Sequence, residues 1–159
     1  MADVIEPRTL GEAKLDARYG SLFHGLNARF FKRLQLLFAI ISLVSGTAAF
    51  SLVFREDPTI GAIAGGILAI LTIINQVVSP ASRAIEHEAM AKRYGELVAN
   101  TSLSTVAAFD AELEKLRSGD HSGLSVFERC AYNANVTAAG YESWRMPLTA
   151  WQRFVSLMV

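Results

Sequence analysis

The sequence predicts an all-α protein: a two-transmembrane helical hairpin with an N-terminal amphipathic helix before it and cytosolic helices after it. Three observations predict this. Two long windows carry no formal charge, apolar residues elsewhere recur at helical spacing, and no stretch alternates with the period of a strand. Of the 159 residues, 52% are hydrophobic and 19% charged, against about a quarter charged in ordinary soluble domains. Such a length suits one small domain or one membrane module. Fifteen Lys and Arg balance fifteen Asp and Glu, so the clustered basic footprint of a nucleic-acid binder is not expected. Cys130 is the one cysteine, which rules out an internal disulfide and leaves a metal site short of ligands.

The chain divides into an amphipathic cytosolic lead-in (1–33), a hairpin (34–79) and a cytosolic helical region (80–159). In the lead-in, Thr9-Leu10-Gly11-Glu12 fits a capping box, a hydroxyl cap with Glu three residues on. Leu15, Tyr19, Leu22, Phe23, Leu26 and Phe30 then follow at helical spacing. Gly20 and Gly25 weaken that helix by about 1 kcal/mol each against Ala. The aromatic pair Phe30 and Phe31, beside Lys32 and Arg33, stands where interfacial anchors belong.

The first charge-free window is LQLLFAIISLVSGTAAFSLVF, 21 residues from Leu34 to Phe54, and the second covers 25 residues from Pro58 to Ser82. About 20 helical residues cross a hydrocarbon core of roughly 30 Å, so spans are expected over about 34–54 and 59–78. The first starts too late for a signal peptide. Arg55-Glu56-Asp57-Pro58 makes the turn, with Pro suited to open the second helix. The competing arrangement is a buried hairpin inside a soluble α-domain, but soluble helices rarely run this far without a charge. Basic residues flank the hairpin on its chain-terminal sides, Arg18, Arg29, Lys32 and Arg33 before it and Arg83, Lys92 and Arg93 after it. The positive-inside rule then places both termini in the cytoplasm.

Ser79-Pro80 should kink or restart the helix. Beyond it, Met90, Tyr94, Leu97 and Thr101 form one stripe and Val106, Phe109, Leu113 and Leu116 another, with a break expected between Asn100 and Ser104. Residues 118–123 read as a loop. Ser125-Val126-Phe127-Glu128 reads as a second capping box, opening a helix with Phe127, Cys130, Ala134, Thr137, Tyr141 and Trp144 on one face and Pro147 at its end. Leu148, Trp151, Val155 and Met158 predict a last short amphipathic helix.

No recognised enzyme motif is present: no GxxxxGK, GxGxxG or GxSxG occurs. His24, His87 and His121 have no second His or Cys at ligand spacing, and Glu86-His87-Glu88 reads as a solvated helical face. Catalytic residues, cofactors and metals are therefore not expected, and the protein is expected not to be an enzyme. No ionisable residue falls in mid-span, which counts against a proton-coupled transporter.

The spans carry small and polar faces. Gly61, Gly65, Ala69, Thr72, Gln76 and Ser79 share one side of the second span, flanked by Asn75, and Gln35, Ala39, Ser42, Gly46 and Ala49 share one side of the first. Gly61-xxx-Gly65 and Ser42-xxx-Gly46 are small-xxx-small patterns that let helices approach closely. Ile40, Val44, Ile63, Ile67, Ile70 and Ile74 fall on the lipid side. Two readings follow. In one the small faces pack within the hairpin or between protomers; in the other the second-span face lines a pore, which a single hairpin cannot enclose.

The layout resembles the SLATT family, two-transmembrane effector domains of bacterial conflict systems associated with nucleotide-synthetase and nucleotide-sensing proteins. The resemblance rests on the lead-in AKLDARYGSLFHGLNARFFKRLQ, the closely spaced hairpin and the following stretch SPASRAIEHEAMAKRYGELVANTS, and it covers nearly the whole chain. It implies an antiviral membrane effector in the bacterial inner membrane that forms a homo-oligomeric pore or perturbs the bilayer. It also implies a separate nucleotide-signalling or sensor protein as partner. The alternative is a membrane-anchored interaction module whose cytosolic helices dock a sensor or an enzyme.

Overall fold

A computed structural model describes residues 8–53 and 58–159, with side chains described except at 48–53, 58, 60 and 64. The described chain is all-helical. Its helices are α1 (Leu10–Val53), α2 (Pro58–Val78), α3 (Pro80–Ala99), α4 (Val106–Ser118), α5 (Glu128–Ala138) and α6 (Ala150–Leu157), with single 3₁₀ turns at Ser125–Phe127 and Glu142–Trp144. The expected interhelical turn at Arg55, Glu56 and Asp57 lies outside the described residues, as does the side chain of Ala49. Residues 8–28 with Ile85–Val159 form one compact unit, and Arg29–Ala84 form a second.

In the first unit, α1 starts at the expected capping box. Glu12 accepts hydrogen bonds from the Thr9 amide (2.7 Å) and hydroxyl (2.9 Å), and the Glu12 amide donates to Thr9 Oγ1 at 3.2 Å. The expected aromatic stripe is only half-buried. The fully buried line is one of smaller residues, Ala13, Ala17, His24, Asn27 and Ala28. Gly20 continues this line, and a Cβ there would lie 2.9 Å from the Tyr94 ring. Its glycine thus lets α3 approach α1, with Met90, Tyr94 and Leu97 of α3 joining Phe109 and Leu113 of α4 in the core. Thr101, expected to extend the α3 stripe, is instead exposed in the turn. Asn100 Oδ1 accepts from the Ser102 amide and hydroxyl in that turn, and Thr105 caps α4 through Ala108.

The region after residue 124 departs from expectation. Ser125 makes no capping box; it opens a 3₁₀ turn whose cap has no side-chain hydrogen bond. Nor does α5 run to Pro147. Gly140 takes φ +85, the Tyr141 amide donates to Val136 O (2.8 Å) and the Gly140 amide to Thr137 O (3.1 Å). This is the Schellman arrangement, in which a left-handed glycine ends a helix. The buried face of α5 is Ala131, Asn133, Asn135 and Val136, while Ala134 and Thr137 are exposed. A further capping box, Thr149 with Gln152, opens α6.

In the second unit, α2 ends at Ser79, which adopts φ +46, and buried Pro80 opens α3. The two apolar helical runs are long and apolar enough to cross a membrane, and only 6% of each span-length window is buried.

Paired glycine substitutions test the α1 packing. Gly20→Ala should destabilise the protein by about 1–3 kcal/mol through overpacking against Tyr94. At Gly25 a Cβ would meet nothing within 4 Å, so Gly25→Ala should stabilise by about 1 kcal/mol. Thermal unfolding of the detergent-solubilised chain reads both; equal shifts of one sign would contradict the packing.

Candidate functional site

The hairpin residues singled out by the sequence belong to the second unit. On α2, Gly61 is buried, whereas Gly65, Ala69, Thr72, Asn75, Gln76 and Ser79 are exposed. Thr72 Oγ1 donates to Leu68 O (2.8 Å) and Ser79 Oγ to Gln76 O (2.7 Å), so both hydroxyls are satisfied by their own helix. On α1, Gln35 and Ala39 are exposed and Ser42 and Gly46 half-buried. A Cβ at Gly46, Gly65 or Gly66 would meet nothing within 4 Å. Among the described residues, no side chain within the chain fills the space these glycines leave. The opposite side of α2 is as open: Ile63, Ile67, Ile70, Ile73, Ile74 and Val77 are 41–75% exposed. Of the expected interfacial anchors, Phe31 is 3% exposed, beneath the Arg83 guanidinium, which lies 5.7 Å from the ring centroid. Phe30 packs edge-on against it, and Lys32 and Arg33 are exposed.

The first unit contains a polar cluster that the sequence reading missed. His87 does not sit on a solvated face; it is 3% exposed, and only its neighbours Glu86 and Glu88 point outward. Its Nδ1 lies 2.8 Å from Nδ1 of His24, itself 1% exposed. His24 Nε2 reaches Asp120 at 2.9 and 3.0 Å, and the Tyr94 hydroxyl donates to the same carboxylate at 3.1 Å. The rings of His24 and Tyr94 stack at 5.6 Å. A detectable signal was present: Ala84, His87, Met90, Tyr94 and Leu97 are spaced 3, 3, 4 and 3, a helical face with histidine on it.

Asp120 comes from the loop after α4, and that loop is fastened to α1 at further points. The Leu124 amide donates to Asn27 Oδ1 at 2.8 Å, and Asn27 Nδ2 donates to Phe23 O. Gly123 sits so close that a Cβ would fall 2.6 Å from the Phe23 ring. An ionised Asp120 requires a proton on His24 Nε2. Between the two Nδ1 atoms there is then room for one hydrogen, because one ring must donate and the other accept. Two imidazolium rings would set N–H against N–H.

Burial, then the charge of Asp120 and the hydrogen bond to it, push the Tyr94 phenol up to about 12. Burial also raises the Tyr19 phenol and the Cys130 thiol. A cleft of about 210 Å³ borders His24, with Tyr19, Phe23, Tyr94, Arg117 and Asp120 among its walls. Among the described residues no group of three or more His, Cys, Asp or Glu could hold a metal. No protein-family model, curated protein or solved structure matches this chain.

The Tyr94 shift gives a pH dependence. An unfolded tyrosine ionises near pH 10, while Tyr94 in the fold holds its proton to about 12. Over that window the unfolded chain binds fewer protons than the fold, so stability falls as pH rises. The contribution is whole below about pH 10. Tyr94→Phe should remove it, giving a shallower alkaline loss of thermal stability than the parent chain. Identical slopes in the two proteins would contradict the burial of the Tyr94 phenol beside Asp120.

Proposed function

We propose that the chain is a non-enzymatic integral membrane effector that assembles into a homo-oligomeric pore or bilayer-perturbing complex. What carries this reading is the surface of α2. At about 100° per residue, its isoleucines lie opposite Gly65, Ala69, Thr72 and Gln76, and both sides are exposed. Lipid tails suit the isoleucine side. The small and polar side suits either a second helix at close range or a water-filled lumen, and a lumen needs further copies of the chain. The SLATT resemblance points the same way and adds a bacterial inner-membrane location, antiviral defence and a separate nucleotide-signalling or sensor protein that would trigger assembly. Basic flanks at Arg29, Lys32, Arg33 and Arg83 favour a cytoplasmic position for both termini.

A second reading, a membrane-anchored docking module, is favoured by α6. Trp151 and Phe154 stack at 5.7 Å and are 64% and 55% exposed, with Leu157 82% exposed beyond them. Exchange of the apolar helices for an unrelated hairpin separates the readings: a docking role survives it and a conductance does not.

Planar-bilayer recording tests the first reading. Purified protein should conduct, and Gln76→Glu should raise preference for cations. Ile67→Glu should mainly impair insertion, at a cost of about 3 kcal/mol for a charge facing lipid. Silent bilayers despite confirmed insertion, or equal effects of the two substitutions, would contradict it.

A further inference from the structure

The large exposed apolar side chains of the first unit are concentrated in one segment. Apart from Ile85, every one that is described lies between Tyr141 and Leu157, and both tryptophans of the chain, Trp144 and Trp151, are among them. An apolar patch gathered in this way marks a surface that meets something other than water.

The patch centres on α6, whose sides are inverted. At about 100° per residue, Trp151, Phe154 and Leu157 fall within an arc of about 120°, and all three are exposed. Val155 is buried on the other side, with Gln152 and Ser156 half-buried beside it. A surface helix ordinarily turns its apolar stripe to the core and its polar side to water. The segment before α6 holds the helix in place. Asn133 Nδ2 donates to Met146 O and the Met146 amide donates to Asn133 Oδ1, both at 2.8 Å, and the Thr149–Gln152 capping box fixes the first turn. The outward aromatics therefore stand on a fixed element.

Charge is the independent observation. From Ser143 to Val159 the sequence holds Arg145 and Arg153 and no Asp or Glu, in a chain of zero net charge. Arg129, exposed on α5, reaches the same segment: it donates to Pro147 O at 3.4 Å, and Arg153 donates to Leu148 O at 3.2 Å. Among the described residues none of these three guanidiniums forms an ion pair. Their charge is left for an anion outside the chain.

We propose that the outward face of α6 binds a surface of anionic phospholipid, with Trp151 and Phe154 toward the acyl chains and the arginines among the headgroup phosphates. Tryptophan suits that depth because its ring is apolar and its N–H polar. Guanidinium forks match phosphate oxygens, and apolar and basic sides so divided are those of helices that lie in the membrane interface. A second copy fits less well, because pairing two such faces sets arginine near arginine. Anchoring by the apolar helices would hold lipid at high local concentration around the chain, so this placement rests on the bilayer residence of those helices.

The full chain carrying Trp144→Phe, reconstituted into vesicles of phosphatidylglycerol and phosphatidylcholine, tests it, since Trp151 is then its one tryptophan. Lipid brominated near the headgroup end of the acyl chain should quench Trp151 emission more than lipid brominated near the chain terminus. Quenching should fall in vesicles of phosphatidylcholine alone. Arg145→Gln and Arg153→Gln should each lower the ratio of docked to free α6 by roughly fivefold. Flotation separates the failures. If the chain floats with the vesicles and Trp151 stays unquenched, the proposal is overturned and bilayer residence stands; if the chain does not float with them, both fall. Trp151 shielded from aqueous acrylamide yet untouched by brominated lipid would put a second copy over this face and overturn the proposal. Equal quenching in neutral and anionic vesicles would overturn the anionic assignment.

Discussion

The exposed apolar surface of α2 is the constraint from which the functional reading follows. Six isoleucine and valine side chains stand 41–75% exposed on one side of that helix, and α1 adds Leu36, Leu37, Ile40, Leu43 and Val44. Covering a side chain of this size is worth roughly 1.5–3 kcal/mol when complete. No described part of the chain covers these residues. A bilayer would cover them without asking for specific partners, whereas the glycine and amide side of the same helix is exposed as well and suits a close-packed surface. The proposed assembly is the arrangement in which both demands are met at once.

The first unit is organised differently. Its core is built from small residues on α1 that admit the larger side chains of α3 and α4, with Gly20 set against the Tyr94 ring. Above that core the hydrogen bonds are polar and long-range: His24 and Asp120 are 96 residues apart in the chain, and Asn27 and Leu124 are 97 apart. The cluster therefore ties α1, α3 and the loop after α4 into one body. Surface ion pairs such as Arg8 with Asp16 and Asp110 add to this, at about 0–1 kcal/mol each.

Local pattern made much of the helical architecture legible. The Thr9–Glu12 cap, the break after Ala99, the Val106–Leu116 stripe and the interruption at Ser79-Pro80 are all set by neighbours in sequence, and the structure has each of them. The polar cluster escaped because its signals were masked. Glu86 and Glu88 made His87 look solvated, although neighbours on a helix point about 100° apart. The half-buried aromatics of α1 drew notice away from the alanine, glycine and histidine line beneath them. Asp120 could not be placed at all, since nothing local says where a loop residue will meet a helix so distant in sequence. The end of α5 was misjudged for a simpler reason: Gly140 was a stronger stop signal than Pro147.

The claim that the apolar helices reside in a bilayer has a direct physical test in cell fractionation. Membranes carrying the chain, washed with alkaline carbonate, should retain it in the pellet until detergent is added. Recovery of folded protein in the detergent-free supernatant would contradict the account, because the exposed isoleucine surface would then have to be covered by protein.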